Sequence, residues 1–296
     1  MDKNKIKQIF EILCKYYWID IQKKESPQDH LKDWLGAFKY FTRYAYERSV
    51  KVQQYIDSSI KVLKANKEDL NDLFLCTEFN KELEEKINLD YKNDIESHNN
   101  KYNPKVDIMR CSEKNKKSIL RFLYDINKDD NTKNIAEYVI NHLKNGDVKT
   151  PYNTLTSIWG IGDKIATFYL RDCFLSLLEN PSKILFKNPD EDKLHFQPLD
   201  TWVLSALEII VKMRPMDKKK MSKGTFYKKV LLEFEKELEL LSGQANIALW
   251  VLGAKISPSK VVFQKIIQEF LNGDYKELKQ IAGVYNNIST ILSEQI

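Results

Sequence analysis

Apolar residues recur every three or four positions along most of the chain, which is the period of an amphipathic helix. The period is clear over Ile6–Tyr17, Ile119–Ile126 and Phe226–Leu241. Alternation of the kind that marks a strand is confined to Val106–Met109. The pattern therefore predicts an all-α protein.

Two segments, Lys164–Leu178 and Thr201–Met213, are apolar on almost every side, so both are predicted to be buried helices. Glu179–Pro198 separates them and is rich in Asn, Pro and charged residues, which predicts a long loop. The polar run Tyr91–Pro104 predicts another surface loop. A third stretch, His30–Tyr55, interleaves aromatic residues with Lys and Arg. Such a stretch can form a nucleic-acid surface, but an amphipathic helix with its aromatic residues packed inward is favoured.

The composition excludes only a few kinds of site and partner. Lys and Arg total 47 against 42 Asp and Glu, a net charge of +5 that permits a polyanionic partner without requiring one. The four cysteines contain no CxxC pair, which argues against a disulfide framework and an iron–sulfur cluster, and the histidines lack ligand spacing, so no metal site is expected. No apolar run is long enough for a bilayer. A soluble, cytoplasmic protein is expected.

The segment Leu155–Ala166 reads LTSIWGIGDKIA and predicts a helical hairpin. Thr154–Ile158 would form a short helix. Gly160 and Gly162 would form a sharp turn, because glycine adopts positive φ and allows close approach of the backbone to another surface. Ile161 between them is predicted to point inward and fix the turn.

The second helix of this hairpin is predicted to start at Asp163, whose carboxylate would cap it. Amides in the first turn of a helix carry the positive end of its dipole. Gly160, Ile161, Gly162 and Asp163 are therefore predicted to bind a phosphate group through the backbone, without reading base sequence.

These residues resemble a known motif, the LPGVGxKxA helix-hairpin-helix of the endonuclease III and 8-oxoguanine DNA glycosylase superfamily. The matching positions are Leu155, Ile158, Gly160, Gly162, Lys164 and Ala166. Downstream, Pro198–Val203 (PLDTWV) is similar to the VDTHV stretch of the same superfamily, with Trp202 in place of His. The resemblance covers a minor part of the chain and is closest to the archaeal 8-oxoguanine glycosylase type, which tolerates the long spacing between the motifs and lacks the iron–sulfur cluster.

The resemblance implies that Lys164 is a Schiff-base nucleophile and Asp200 the catalytic aspartate. It implies a bifunctional DNA glycosylase and AP lyase in base-excision repair, acting on an oxidised base in double-stranded DNA, with 8-oxoguanine favoured. Simpler interpretations are a helix N-cap for Asp200 and a solvated cation beside phosphate for Lys164. Alternatives to the activity are a glycosylase for oxidised pyrimidines and a non-catalytic helix-hairpin-helix DNA-binding protein. No cofactor is required, although hairpins of this family often hold a monovalent cation through backbone carbonyls.

An extruded base needs a pocket, and several residues are candidates for it or for other DNA contacts. Trp159 replaces the usual proline and would either lie on the minor-groove backbone or pack under the hairpin. Phe196 and Gln197 precede Asp200 and would either touch the extruded base or pack within their loop. Gln244 and Trp250 open another apolar helix, with core packing favoured for Trp250.

Two helical domains are expected, with the active site in the cleft between them. Residues 61–199 would carry the hairpin, and residues 1–60 plus 200–296 would form a discontinuous second domain. The protein is expected to be a monomer, associated with a prokaryotic nucleoid.

Overall fold

The computed structural model describes residues 2–21, 32–46, 52–98, 102–103, 107–111, 113–214 and 221–282. Throughout these ranges the regular structure is helical, and no strand is present beyond a single parallel bridge between Lys117 and Ile158. The all-α prediction is confirmed. None of the helices in the described ranges combines the length and apolar character needed to cross a bilayer.

The chain divides into two compact units, one of residues 26–187 and the other of residues 1–25 with 188–296. These limits differ from the predicted domains, since residues 26–60 belong with the hairpin rather than with the C-terminal helices. The reason is the apolar face of the helix Trp34–Ala45, which packs against two later helices, Ile135–Lys144 and Asp163–Ser176.

The unit of residues 26–187 contains eight of the described α-helices: α2 Trp34–Ala45, α3 Val52–Ala65, α4 Lys67–Leu75, α5 Lys81–Ser97, α6 Ile119–Asp130, α7 Ile135–Lys144, α8 Lys149–Thr156 and α9 Asp163–Ser176. Every residue from Ile165 to Phe174 is buried, so α9 forms the centre of this unit, as its apolar sequence predicted.

The α2 helix decides between the two interpretations of the aromatic segment His30–Tyr55. Phe38 and Phe41 are fully buried, and the ring of Phe41 meets that of Tyr169 with centroids 5.0 Å apart. The favoured interpretation, inward packing, describes this helix. Arg48 and Lys51, which belonged to the same pattern, lie outside the described residues.

The predicted loop Tyr91–Pro104 is wrong over its first half, because α5 continues to Ser97. Ile87, Tyr91 and Ile95 follow one another at four-residue steps and are all fully buried. Three apolar side chains on one face are enough to anchor a helix whose other faces are polar.

The other unit contains α1 Lys3–Tyr16, α10 Pro189–Asp192, α11 Thr201–Met213, α12 Lys223–Glu237, α13 Gln244–Val251, α14 Lys260–Asn272 and α15 Lys276–Ala282, with π-helical turns at Tyr17–Ile21 and Leu252–Ile256. The α11 helix packs against α14. It is not buried on every side as predicted, because Thr201, Glu208 and Lys212 are exposed.

The predicted loop Glu179–Pro198 contains short helical segments: two 3₁₀ turns, Pro181–Lys183 and Lys193–Phe196, and α10 between them. The amide of Asn188 donates to the buried carboxylate of Asp192 at 2.8 Å, which closes the turn of α10.

Candidate functional site

A sharp turn joins α8 to α9, and its backbone follows the predicted hairpin. Gly160 has a φ of +78°, a conformation that L-residues with a side chain rarely adopt. Gly162 is extended instead, with φ −108° and ψ −179°. Ile161 between them is only 2% exposed, so its predicted inward orientation is confirmed. The first helical arm is longer and starts earlier than predicted, at Lys149.

A preceding segment braces this turn. The amide of Lys117 donates to Ser157 O at 2.8 Å, and the amide of Trp159 donates back to Lys117 O at 2.7 Å. The Lys116 ammonium donates to Thr156 O at 2.5 Å, at the carboxyl end of α8. These contacts were not predicted, because in the sequence Lys116 and Lys117 resemble ordinary solvated cations.

Asp163 does not cap α9. The N-cap is Gly162, which has no side chain, and Asp163 is the first helical residue. Its carboxylate accepts a hydrogen bond of 2.9 Å from the hydroxyl of Tyr152 on α8, so it ties the two arms of the hairpin together. Burial, and after it the Asp163 carboxylate, raise the pKa of Tyr152.

Gly160, Gly162 and Asp163 are all exposed, so the start of α9 faces solvent. The positive end of the helix dipole lies at this surface. A glycine N-cap leaves room for an oxygen of a ligand to approach where a serine or aspartate cap would otherwise stand. The turn that was predicted to bind phosphate is therefore open to solvent.

Lys164 is the second residue of α9 and is half-buried. Its Nζ lies 5.4 Å from the centre of the Phe168 ring, one turn along, and the guanidinium carbon of Arg171 lies 4.9 Å from the same ring. Arg171 is 1% exposed, and its Nε donates a hydrogen bond of 2.7 Å to Oδ1 of Asp172, with its Nη2 also 2.7 Å from that oxygen. The other oxygen of Asp172 accepts a hydrogen bond of 2.7 Å from the Tyr44 hydroxyl. The candidate nucleophile and a buried ion pair therefore lie near the same aromatic ring.

Asp200 is the N-cap of α11. Its Oδ1 accepts a hydrogen bond of 2.8 Å from the amide of Val203, and the residue is 7% exposed. The N-cap interpretation is confirmed, and it fixes the carboxylate at the positive end of α11. Trp202, the departure from the family motif, packs inside its own unit: its ring contacts Phe263, and a Cβ at Gly253 would lie 2.7 Å from it.

The other predicted contact residues are buried or half-buried. Phe196 and Gln197 are fully buried, which matches the loop-packing alternative. Gln244 caps its own turn, since its Oε1 accepts from the Leu241 amide at 2.8 Å. Trp250 is half-buried, with its ring edge-on to that of Tyr17 at 5.9 Å. Trp159 is half-buried in the hairpin.

Gln197 contacts a buried carboxylate, that of Glu235, which was not predicted from the sequence. Glu235 is 1% exposed and accepts from Gln197 Nε2 at 2.5 Å. The amides of Gly243 and Ala245 donate to its other oxygen at 2.8 and 3.1 Å. Burial raises the pKa of Glu235 to about 8, although these hydrogen bonds act in the opposite direction.

Within the described ranges, His, Cys, Asp and Glu form no group that could hold a metal ion. The four cysteines form no disulfide.

Comparison with known proteins gives a partial similarity. Over 92 residues, 31% of this chain, the sequence is 36% identical to the uncharacterized protein MJECL21 of Methanocaldococcus jannaschii. The matched region spans 20% of that protein's length. No family model and no solved structure matches the chain.

Proposed function

We propose that this protein is a DNA glycosylase with AP lyase activity that removes an oxidised base through a lysine Schiff base. The observation that supports it is the hairpin, where Gly160 adopts positive φ, Ile161 is buried and the exposed start of α9 carries Lys164 one residue beyond Asp163. A backbone phosphate site directly followed in the chain by an amine suits an enzyme that binds DNA beside a reacting sugar.

Lys164 would attack C1′ of the target nucleotide, after the nucleotide has left the base stack. The bond to the base breaks as the bond to Nζ forms, and the base departs with a proton. That proton comes from the attached amine. The C1′–O4′ bond then breaks, O4′ takes a proton from solvent, and the opened sugar is left as a protonated imine. Loss of a C2′ proton to a base expels the 3′ phosphate and nicks the strand, and hydrolysis of the imine returns the lysine.

Asp200 would supply negative charge where the sugar becomes positive. A fixed carboxylate is worth more than a mobile one because it needs no reorganisation as the charge develops. The hydrogen bond from the Val203 amide provides that fixation.

An oxidised purine, 8-oxoguanine first, is the substrate proposed, on the strength of the motif resemblance. Oxidised pyrimidines are the alternative class. Excision rates on a panel of duplexes that differ only in the lesion decide between the two classes.

Borohydride trapping on duplexes that each carry one lesion tests the proposal. Wild-type protein should give a covalent adduct, Lys164→Gln should give none, and Asp200→Asn should lower the trapping rate about 100-fold or more, the range for loss of a fixed transition-state charge. Lys149→Gln is the matched control, because it removes an exposed lysine at the start of the same hairpin. Failure of wild-type protein to trap on any lesion, or trapping that survives Lys164→Gln, overturns the proposal.

A further inference from the structure

The loop that leads into Asp200 is held by buried polar side chains from later helices. Gln197 donates to Glu235 of α12 at 2.5 Å and to Ser242 Oγ at 3.2 Å. Asn246 of α13 donates from Nδ2 to Pro198 O at 2.6 Å. Gln197 and Asn246 are 0% exposed and Glu235 is 1% exposed, so these bonds form in a region from which water is excluded.

Glu235 joins three elements through one carboxylate. One oxygen binds the amides of Gly243 and Ala245 at the start of α13, and the other binds Gln197 in the loop. The start of α13 and the loop therefore share a single anchor on α12. Two residues beyond Pro198, Asp200 is the N-cap of α11.

A helix such as α13 can be capped without a buried carboxylate from another helix. Elsewhere the chain caps helices with a residue at the N-cap position itself, such as Asp33, Ser222 and Ser259. Glu235 instead reaches α13 from another helix, and a buried carboxylate is costly to ionise. Its bond to Gln197 is the contact that a local cap could not provide.

We propose that Glu235 is a positioning residue, acting through Gln197 to hold the Pro198–Asp200 segment so that the Asp200 carboxylate is fixed at the start of α11. The inference rests on the proposed function, because it gives Asp200 its catalytic task. The chain of contacts runs from Glu235 to Gln197, along the backbone through Pro198 to Asp200, and ends at the hydrogen bond from the Val203 amide.

Three variants and a control separate positioning from general stability. Gln197→Leu cuts the link to the loop but keeps the bonds of Glu235 to α13. Glu235→Leu cuts both. Glu235→Gln keeps both, because its amide oxygen can accept from α13 and its NH₂ can donate to Gln197 Oε1 once that amide rotates. Glu233→Gln on the same helix is the control, since Glu233 is exposed and pairs with Lys236.

Two measurements are made on the full-length protein. In single-turnover excision, Gln197→Leu and Glu235→Leu should lower the rate at least about 10-fold with the Kd for the lesion duplex unchanged within about 2-fold, since a misplaced group affects the chemical step. Glu235→Gln and Glu233→Gln should stay within about 3-fold of wild type. Hydrogen–deuterium exchange of the Val203 amide should accelerate about 10-fold in the two Leu variants, as its cap loosens.

The two proposals fail in different ways. Unchanged Val203 exchange in a folded Gln197→Leu variant overturns the positioning role, whatever the activity. Absence of any trapped adduct with wild-type protein overturns the glycosylase proposal, and with it the catalytic task assigned to Asp200. If Glu235→Leu does not fold, Gln197→Leu decides the question. A rate lost equally in Glu235→Gln and Glu235→Leu, without a change in Val203 exchange, also contradicts positioning.

Discussion

Replacement of Glu235 by Gln should change how the stability of the protein depends on pH. The pKa of Glu235 is raised from an ordinary value near 4.5 to about 8 by burial. Between those values the folded protein holds a proton that the unfolded chain has released. The stability associated with the neutral carboxyl group is therefore complete below about pH 4.5 and is lost as the pH rises through about 8.

The magnitude follows from the size of the shift. Each pH unit inside this window lowers the free energy of unfolding by up to about 1.4 kcal/mol, and the whole window by about 5 kcal/mol at most. Glutamine has no proton to release, so Glu235→Gln lacks this loss. The variant should become more stable relative to wild type as the pH rises from 5 to 8.

Urea unfolding at pH 5, 6.5 and 8 measures the effect. Tryptophan fluorescence follows unfolding, and Trp202 and Trp250 contribute to the signal from the same unit as Glu235. Glu233→Gln, which removes an exposed carboxylate from the same helix, should differ from wild type by a nearly constant amount. A difference between Glu235→Gln and wild type that stays constant across this range would refute the reasoning.

Two further substitutions test the hairpin and the helix behind it. Gly160→Ala should destabilise the protein by about 1 kcal/mol or more, because φ is +78° there, and should weaken binding to duplex DNA. Gly162→Ala is the control for stability in thermal unfolding, since φ is −108° and a Cβ would meet open space; equal losses in the two variants would contradict the backbone argument. Asp172→Asn should cost about 3–5 kcal/mol in urea unfolding, because it removes the negative charge that Asp172 places against the buried Arg171 guanidinium. A loss below about 1 kcal/mol would show that the pair is not buried as described.

Helices with a strong apolar period could be predicted from the sequence. The predicted limits of α11, Thr201 and Met213, are those of the structure. Gly160 and Ile161 also behave as predicted, because a glycine turn around a buried residue is determined by local backbone sterics. Tyr91–Ser97 was missed because its apolar residues are few, although they lie on one helical face.

The buried charged groups could not be predicted, because in sequence they resemble solvated ones. Glu235 is 38 residues from Gln197 along the chain, and Asp172 is 128 residues from Tyr44. Only the packing of α12 against the loop, and of α2 against α9, brings these partners together. The Asp163 cap was predicted wrongly for a related reason, since its carboxylate has a better partner in Tyr152 on the preceding helix.

Mass-spectrometric mapping of the borohydride-reduced adduct identifies the nucleophile. Wild-type protein is incubated with a duplex that carries 8-oxoguanine, reduced, digested with protease and nuclease, and analysed for the peptide that bears the sugar fragment. The mechanism predicts that the fragment is on Lys164 and that Asp200→Asn forms the same adduct more slowly. A fragment on another lysine, or on the terminal amine, would contradict it.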